Sequence, residues 1–327
     1  MAYVEIASRV VDLWNDRFAA ERPFLSQFEE WYGTDYPVPA GQPRTRAKDQ
    51  GVVQPDTDFV ECLANARSYA GPHLMQFAEA LDHERAATLQ GHLTADHEVI
   101  VVDVGCAAGI LSLFADRAGF AHYIGVDTNR WMRLLSRSVF ESVMDELTGW
   151  MDTPDAPRPH LNGYGGCIER TQYTVVNEPP HGTRVSKVRT LQPSFGILED
   201  IDSHDGWSNF VRRVAANTDF SAPRARRITV LLVMNHLMFQ LHDVPRTVTS
   251  AIDKCRRLAS LPGVNTYLVS IEPGTLYKPG RLGTQGLERV LLERQLGVER
   301  YSVTGLSSFL TGNSKGDAAV RLVRFGS

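Results

Sequence analysis

The stretch EVIVVDVGCAAG, residues 98–109, decides the fold. Val99 to Val102 form a short unbroken apolar run, the pattern of a strand covered on both faces of a parallel sheet. Asp103 closes that run. Small residues at Gly105, Ala107 and Gly109 then let the backbone turn sharply and let a ligand approach it closely. Ile110 to Ala118 follows as a helix stopped near Gly119. Its N-terminus presents free N–H groups to acceptor atoms. Strand, tight turn and helix in this order place Asp103 at a strand's carboxyl end, where open α/β sheets bind their ligands.

Toward the C-terminus, strands and helices keep alternating. His122 to Val126 reads as a second strand ending in Asp127, and a helix runs from about Trp131 to Leu147. A third strand is expected at Phe195–Leu198, a fourth at Ile228–Met234 and a fifth at Thr266–Ile271. Helices are expected at Trp207–Ala216, Val244–Leu261 and Leu282–Leu296. Two last strands, Glu299–Thr304 and Ala319–Phe325, lie close in sequence and read as an antiparallel pair. Residues 149–192 break this rhythm with prolines and a Gly163–Gly166 cluster, and read as an insertion with a β-hairpin. The fold expected is therefore α/β: a Rossmann-like, seven-stranded, mostly parallel sheet with helices on both faces.

Residues 1–95 read as a helical N-terminal region lying over the pocket of a 96–327 catalytic domain. Val4, Ala7, Val11, Trp14 and Phe18 recur at helical spacing, and Phe24, Phe28 and Trp31 continue the pattern. A proline-bearing loop spans 36–55. A helix bearing Phe59, Leu63 and Ala66 follows, capped by Asp56 and Thr57. Pro72 is placed in the first turn of a further helix that carries Leu74, Phe77 and Leu81 and ends at Gly91.

Composition narrows the function classes. A net charge of −4 argues against a dedicated nucleic-acid binder. The basic clusters at Arg44, Arg46 and Lys48 and at Arg224, Arg226 and Arg227 read as solvated loops. Cys62, Cys106, Cys167 and Cys255 lie far apart, which gives neither a zinc pattern nor a disulfide framework. No apolar run is long enough to span a membrane, and the first residues lack a signal-peptide pattern, so a cytoplasmic protein is expected.

DVGCAAG resembles the D/E-x-G-x-G-x-G loop of class I S-adenosylmethionine (SAM)-dependent methyltransferases, with Ala107 at the middle glycine. Asp127 also matches: a carboxylate about 20 residues past a glycine loop is placed to accept hydrogen bonds from a ribose diol. The closing antiparallel strand pair is typical of that family's sheet. A nicotinamide fingerprint would instead need glycine where Ile110 stands. The resemblance implies SAM as cofactor. Gly105, Cys106, Ala107 and Gly109 would pack around its methionine part, with Asp103 near the amino group. Asp127, with the adjoining Thr128, would hold the ribose, and Asp200 (or Glu199) would lie beside the adenine.

Asn235 and His236, after the fourth strand, are the candidates for contacting the acceptor, with His236 as a general base. Tyr69 and Arg67 are placed on a lid, and Glu272, after the fifth strand, at the substrate site. Trp131 reads as core or as an adenine contact. The function implied is methyl transfer from SAM to a small or medium-sized metabolite, with neither DNA nor a membrane as partner. A 3-amino-3-carboxypropyl transferase on the same fold is the first rival; a non-catalytic SAM-binding module and an RNA methyltransferase are the others. A homodimer is left open.

Overall fold

The computed structural model of the chain describes residues 2–19, 59–94, 96–127, 129, 132, 135, 175–177, 184–186, 192–196, 206–218, 220, 227–238, 243–273, 283–303 and 318–326. Two N-terminal helices open it, α1 (Tyr3–Ala19) and α2 (Phe59–Asp82), followed by the short α3 (Ala87–His92). Then come β1 (His97–Val104), α4 (Ile110–Arg117), β2 (His122–Val126), β3 (Val175–Asn177), β4 (Arg184–Ser186) and β5 (Gln192–Gly196). The chain finishes with α5 (Gly206–Ala216), β6 (Arg227–Asn235), α6 (Val244–Ala259), β7 (Val264–Pro273), α7 (Gly283–Glu293), β8 (Val298–Val303) and β9 (Ala318–Phe325).

The main sheet has seven strands in the order β5-β2-β1-β6-β7-β9-β8. The first five run parallel; β9 is antiparallel to both β7 and β8, so the sheet is partly antiparallel. β3 and β4 pair separately as a short antiparallel ribbon within the region read as an insertion.

Side-chain alternation along the strands separates two apolar layers. Val99 and Val101 of β1, with Leu231, Val233, Tyr267 and Val269, face α1, α2 and α4. Ile100, Val102 and Val104, with Val230, Leu232 and Leu268, face α5, α6 and α7. The N-terminal helices therefore share a core with the sheet. Asp82 fixes their mutual position by accepting the backbone N–H groups of Tyr3 and Val4 at 3.0 and 2.8 Å, a carboxylate at the positive end of α1.

Pro72, Gly91 and the third strand of the alternation lie differently from the sequence expectation. Pro72 does not begin a helix; it lies inside α2, which runs unbroken through it. The stripe Cys62, Ala66, Ala70, Leu74, Phe77 and Leu81 is buried from one end of that helix to the other. This continuous contact offsets the hydrogen bond that a proline removes. Gly91 lies within α3, while α2 ends at Asp82. The third strand of the alternation, β5, begins at Gln192, three residues before the expected start. Of the helix expected at 131–147, Met132 and Leu135 are helical and the rest lies outside the described residues.

Candidate functional site

The turn after β1 is built from left-handed backbone. Gly105 has φ 72°, Ala107 46° and Gly109 69°. At Gly105 the space is also closed, since a Cβ there would meet Leu237 Cδ1 at 2.7 Å. Ala107 adopts the left-handed region at a steric cost that the surrounding bonds must offset. Gly105 and Cys106 both donate their N–H to the carbonyl of Val126, at 2.7 and 3.0 Å, which ties the turn to the end of β2. Asp127, the next residue, completes the tie. Its Oδ2 accepts from the Ala107 N–H at 3.0 Å and its Oδ1 from the Asn129 N–H at 2.8 Å.

Asp103 is buried, and the Tyr123 hydroxyl donates to its Oδ2 at 2.8 Å. Burial pushes its carboxyl up to about 7; nearby Asp127 adds to the rise, while the Tyr123 hydrogen bond opposes it. The group thus sits near half-ionisation at neutral pH, the setting in which a cationic ligand would draw off its proton.

A cavity of about 50 Å³ lies between this turn, α2 and the end of β6. Asp103, Gly105, Cys106, Ala107 and Asn235 reach its wall from the sheet side, and Ala70, His73, Leu74 and Phe77 from α2. Asn235 donates its amide to the His73 carbonyl at 2.9 Å, while its own Oδ1 is buried and has no hydrogen-bond partner among the described residues. An orphaned acceptor on a cavity wall is a place where a ligand donor gains a full hydrogen bond. The acceptors present, a carboxyl and an amide oxygen, suit an ammonium or hydroxyl group. The enclosed volume admits only a few waters, so a larger ligand requires α2 to draw back.

Behind the wall, Tyr69, His73 and Gln76 follow one face of α2 and meet the turn after β6. His73 stacks on His236 with ring centroids 3.9 Å apart and on Tyr69 at 5.6 Å. The His236 Nε2 and Gln76 Oε1 lie 2.6 Å apart, which assigns the proton to that nitrogen. Burial pushes His236 down to about 4 and His73 well below 6.5, with neighbouring His236 adding to the effect on His73. Both are therefore neutral at physiological pH. A base of pKa about 4 is poorly matched to removing a proton near neutrality.

The expected site residues thus fall into three groups. Asp103, Gly105, Cys106, Ala107 and Asn235 share the cavity; Gly109 starts α4 at its edge, and Asp127 underpins the turn. Tyr69 and His236 reach the cavity through His73. Glu272 is buried away from that wall, where its Oε1 accepts the backbone N–H groups of Leu237 and Met238 at 3.1 and 3.0 Å. Burial pushes it up to about 8. Its described bonds make it an anchor of the 236–238 turn. Thr128, Asp200, Glu199, Arg130 and Trp131 lie outside the described residues, as does the side chain of Arg67. His73 and Gln76 were not singled out from the sequence. Their signal was two polar residues at i, i+3 within a mainly apolar helical stretch, PHLMQFAEAL.

No protein-family profile matches the chain, and no curated protein matches it. Solved structures similar to it include a precorrin-6y C5,15-methyltransferase from Geobacter metallireducens, with 9% identity and a TM-score of 0.34 over 74% of this chain and 87% of that one. A SAM-dependent methyltransferase from Aquifex aeolicus shows 8% identity and a TM-score of 0.31 over 74% of this chain and 89% of its own. Among the described residues no helix is long and apolar enough to cross a membrane, and no group of histidine, cysteine and carboxylate side chains forms a metal site.

Proposed function

We propose that the chain is an enzyme that binds SAM at the turn after β1 and transfers its methyl group to a small or medium-sized metabolite. The observation that carries this reading is one cavity wall. It joins a left-handed turn of small residues, a half-ionised carboxyl at Asp103 and an unpartnered amide oxygen at Asn235. When bound, SAM supplies an electrophilic methyl carbon on a sulfonium. Asp103 would hold the ligand's ammonium, and Asp127 would accept the ribose hydroxyls. Asn235 Oδ1 would accept a hydrogen bond from the group to be methylated. Catalysis would then rest on orientation, which alone removes several kcal/mol of a two-body barrier. The apolar face of α2 excludes water from the same space.

The deciding experiment incubates the chain with SAM and a metabolite extract and identifies the by-product by mass spectrometry. S-adenosylhomocysteine is expected; methylthioadenosine would overturn methyl transfer in favour of aminocarboxypropyl transfer. Asn235→Leu should lower turnover at least about tenfold, since it removes an acceptor on the wall that has no partner among the described residues.

Affinity should also depend on pH. Asp103 is raised to about 7, so a bound cation favours its ionised form and binding releases a proton below that pH. SAM affinity should rise about tenfold per pH unit as pH increases toward 7 and level off above it. Calorimetry in buffers of different ionisation enthalpy measures the released proton. An Asp103→Asn chain should show no such release, and an equal release from it would sink the assignment.

A further inference from the structure

A second cavity lies at the opposite end of the sheet from the glycine turn, where β6 and β7 begin and β9 ends. It has a volume of about 550 Å³, and its wall includes Arg227, Asn265, Arg324, Phe220 and Phe325. The strand registers explain the grouping. His97 pairs with Arg227, Thr229 with Asn265, and Tyr267 with Arg324. Because alternate residues share a face, His97, Arg227, Asn265 and Arg324 all lie on the same side of the sheet's lower rim.

Positive charge predominates among the described residues at this rim. Among the described residues neither Arg227 nor Arg324 forms an ion pair or a side-chain hydrogen bond. Two histidines adjoin them. His92 stacks on His97 at 5.0 Å, the Tyr267 hydroxyl lies 2.7 Å from His92 Nδ1, and His97 Nδ1 lies 2.8 Å from Thr229 Oγ1. Both imidazoles are held below 6.5, first by burial; Arg324 and Arg227 act on His92 and Arg227 on His97, with only Asp96 opposing them at His97. Among the described residues the fold thus gathers two fixed positive charges here, with the Asp96 carboxylate acting against them at His97. A guanidinium pair with an amide beside it is the donor set that phosphate oxygens take, often two bonds to each arginine.

We propose that this cavity is an anion site that takes a phosphate-bearing small ligand, separate from the SAM pocket. Arg227 and Arg324 hold the phosphate and Asn265 adds a neutral donor, while Phe220 and Phe325, part of the apolar layer on the sheet's other face, close the cavity beyond the rim. The site reads a basic residue, Arg227, that the sequence alone placed on a solvated loop.

Calorimetry of the full chain with sodium pyrophosphate at low salt tests this. The wild-type chain should bind, and binding should weaken as salt is added. The double substitution Arg227→Gln with Arg324→Gln should weaken binding about tenfold or more, the value of one charged hydrogen bond. Arg227→Lys with Arg324→Lys should keep most of it. Both arginines are exposed, so the melting temperature should hold. SAM binding should be unchanged in either double variant, which separates failure here from failure of the proposed function. On adding pyrophosphate, imidazole proton signals should show His92 and His97 titrating at higher pH. No binding by the wild-type chain, or equal binding by the glutamine variant, would overturn the proposal.

Discussion

Asp127→Ala should weaken SAM binding by about tenfold to a hundredfold, because a charged acceptor contributes roughly 1.5–3 kcal/mol. The structure adds a second reason for a large effect. The same carboxylate holds the Ala107 and Asn129 N–H groups at 3.0 and 2.8 Å. Ala107 needs that tie, since its φ of 46° carries the intrinsic penalty of a left-handed alanine. Removing the carboxylate therefore loosens the turn that the methionine end would contact. Asp127→Asn keeps one acceptor oxygen and should fall between the wild-type and alanine chains. Titration calorimetry beside a thermal melt separates lost affinity from lost fold. Unchanged affinity in the alanine chain would remove the cofactor placement.

Glu272→Ala should lower the melting temperature most among single changes near the site. Its Oε1 is the described acceptor for both the Leu237 and Met238 N–H groups, in a buried setting. Truncation leaves two donors unsatisfied and opens a void, together about 2–5 kcal/mol. For a chain of this size that amounts to a fall of about 3–7 °C. Glu272→Gln retains a carbonyl acceptor and should recover more than half of the loss. The turn it anchors begins at His236, whose φ of 54° is itself strained, so Asn235 and His236 should shift with it. Equal melting temperatures for the alanine and glutamine chains would show that the hydrogen bonds are not what Glu272 contributes.

Local pattern made part of this architecture readable. The apolar run at 99–102 predicted β1, and the small residues after it predicted a turn whose dihedral angles prove left-handed. The short connection between the last two strand candidates predicted their antiparallel pairing. What escaped was long-range. His73 and Asn235 are 162 residues apart, and no periodicity links them; only the packing of α2 across the strand ends brings them together. Pro72 was misplaced for a related reason. A proline is a local stop signal, whereas the six-residue stripe that carries α2 past it gains its energy from the sheet beneath. Arg227 was assigned to a loop because its neighbour in the sheet, His97, comes from a strand far away in the sequence.

Gly71 and Pro72 give α2 a further property. Proline has no N–H, so the carbonyl of Ser68 lacks its helical donor even in the straight helix. Flexing the rod at this joint breaks one bond fewer than flexing it at any other turn. The joint falls between Tyr69 and Ala70 on one side and His73 and Phe77 on the other, directly over the small chamber against the glycine turn. The segment that shuts the chamber therefore carries its own crease, and a guest as bulky as an adenosyl sulfonium would meet least resistance there.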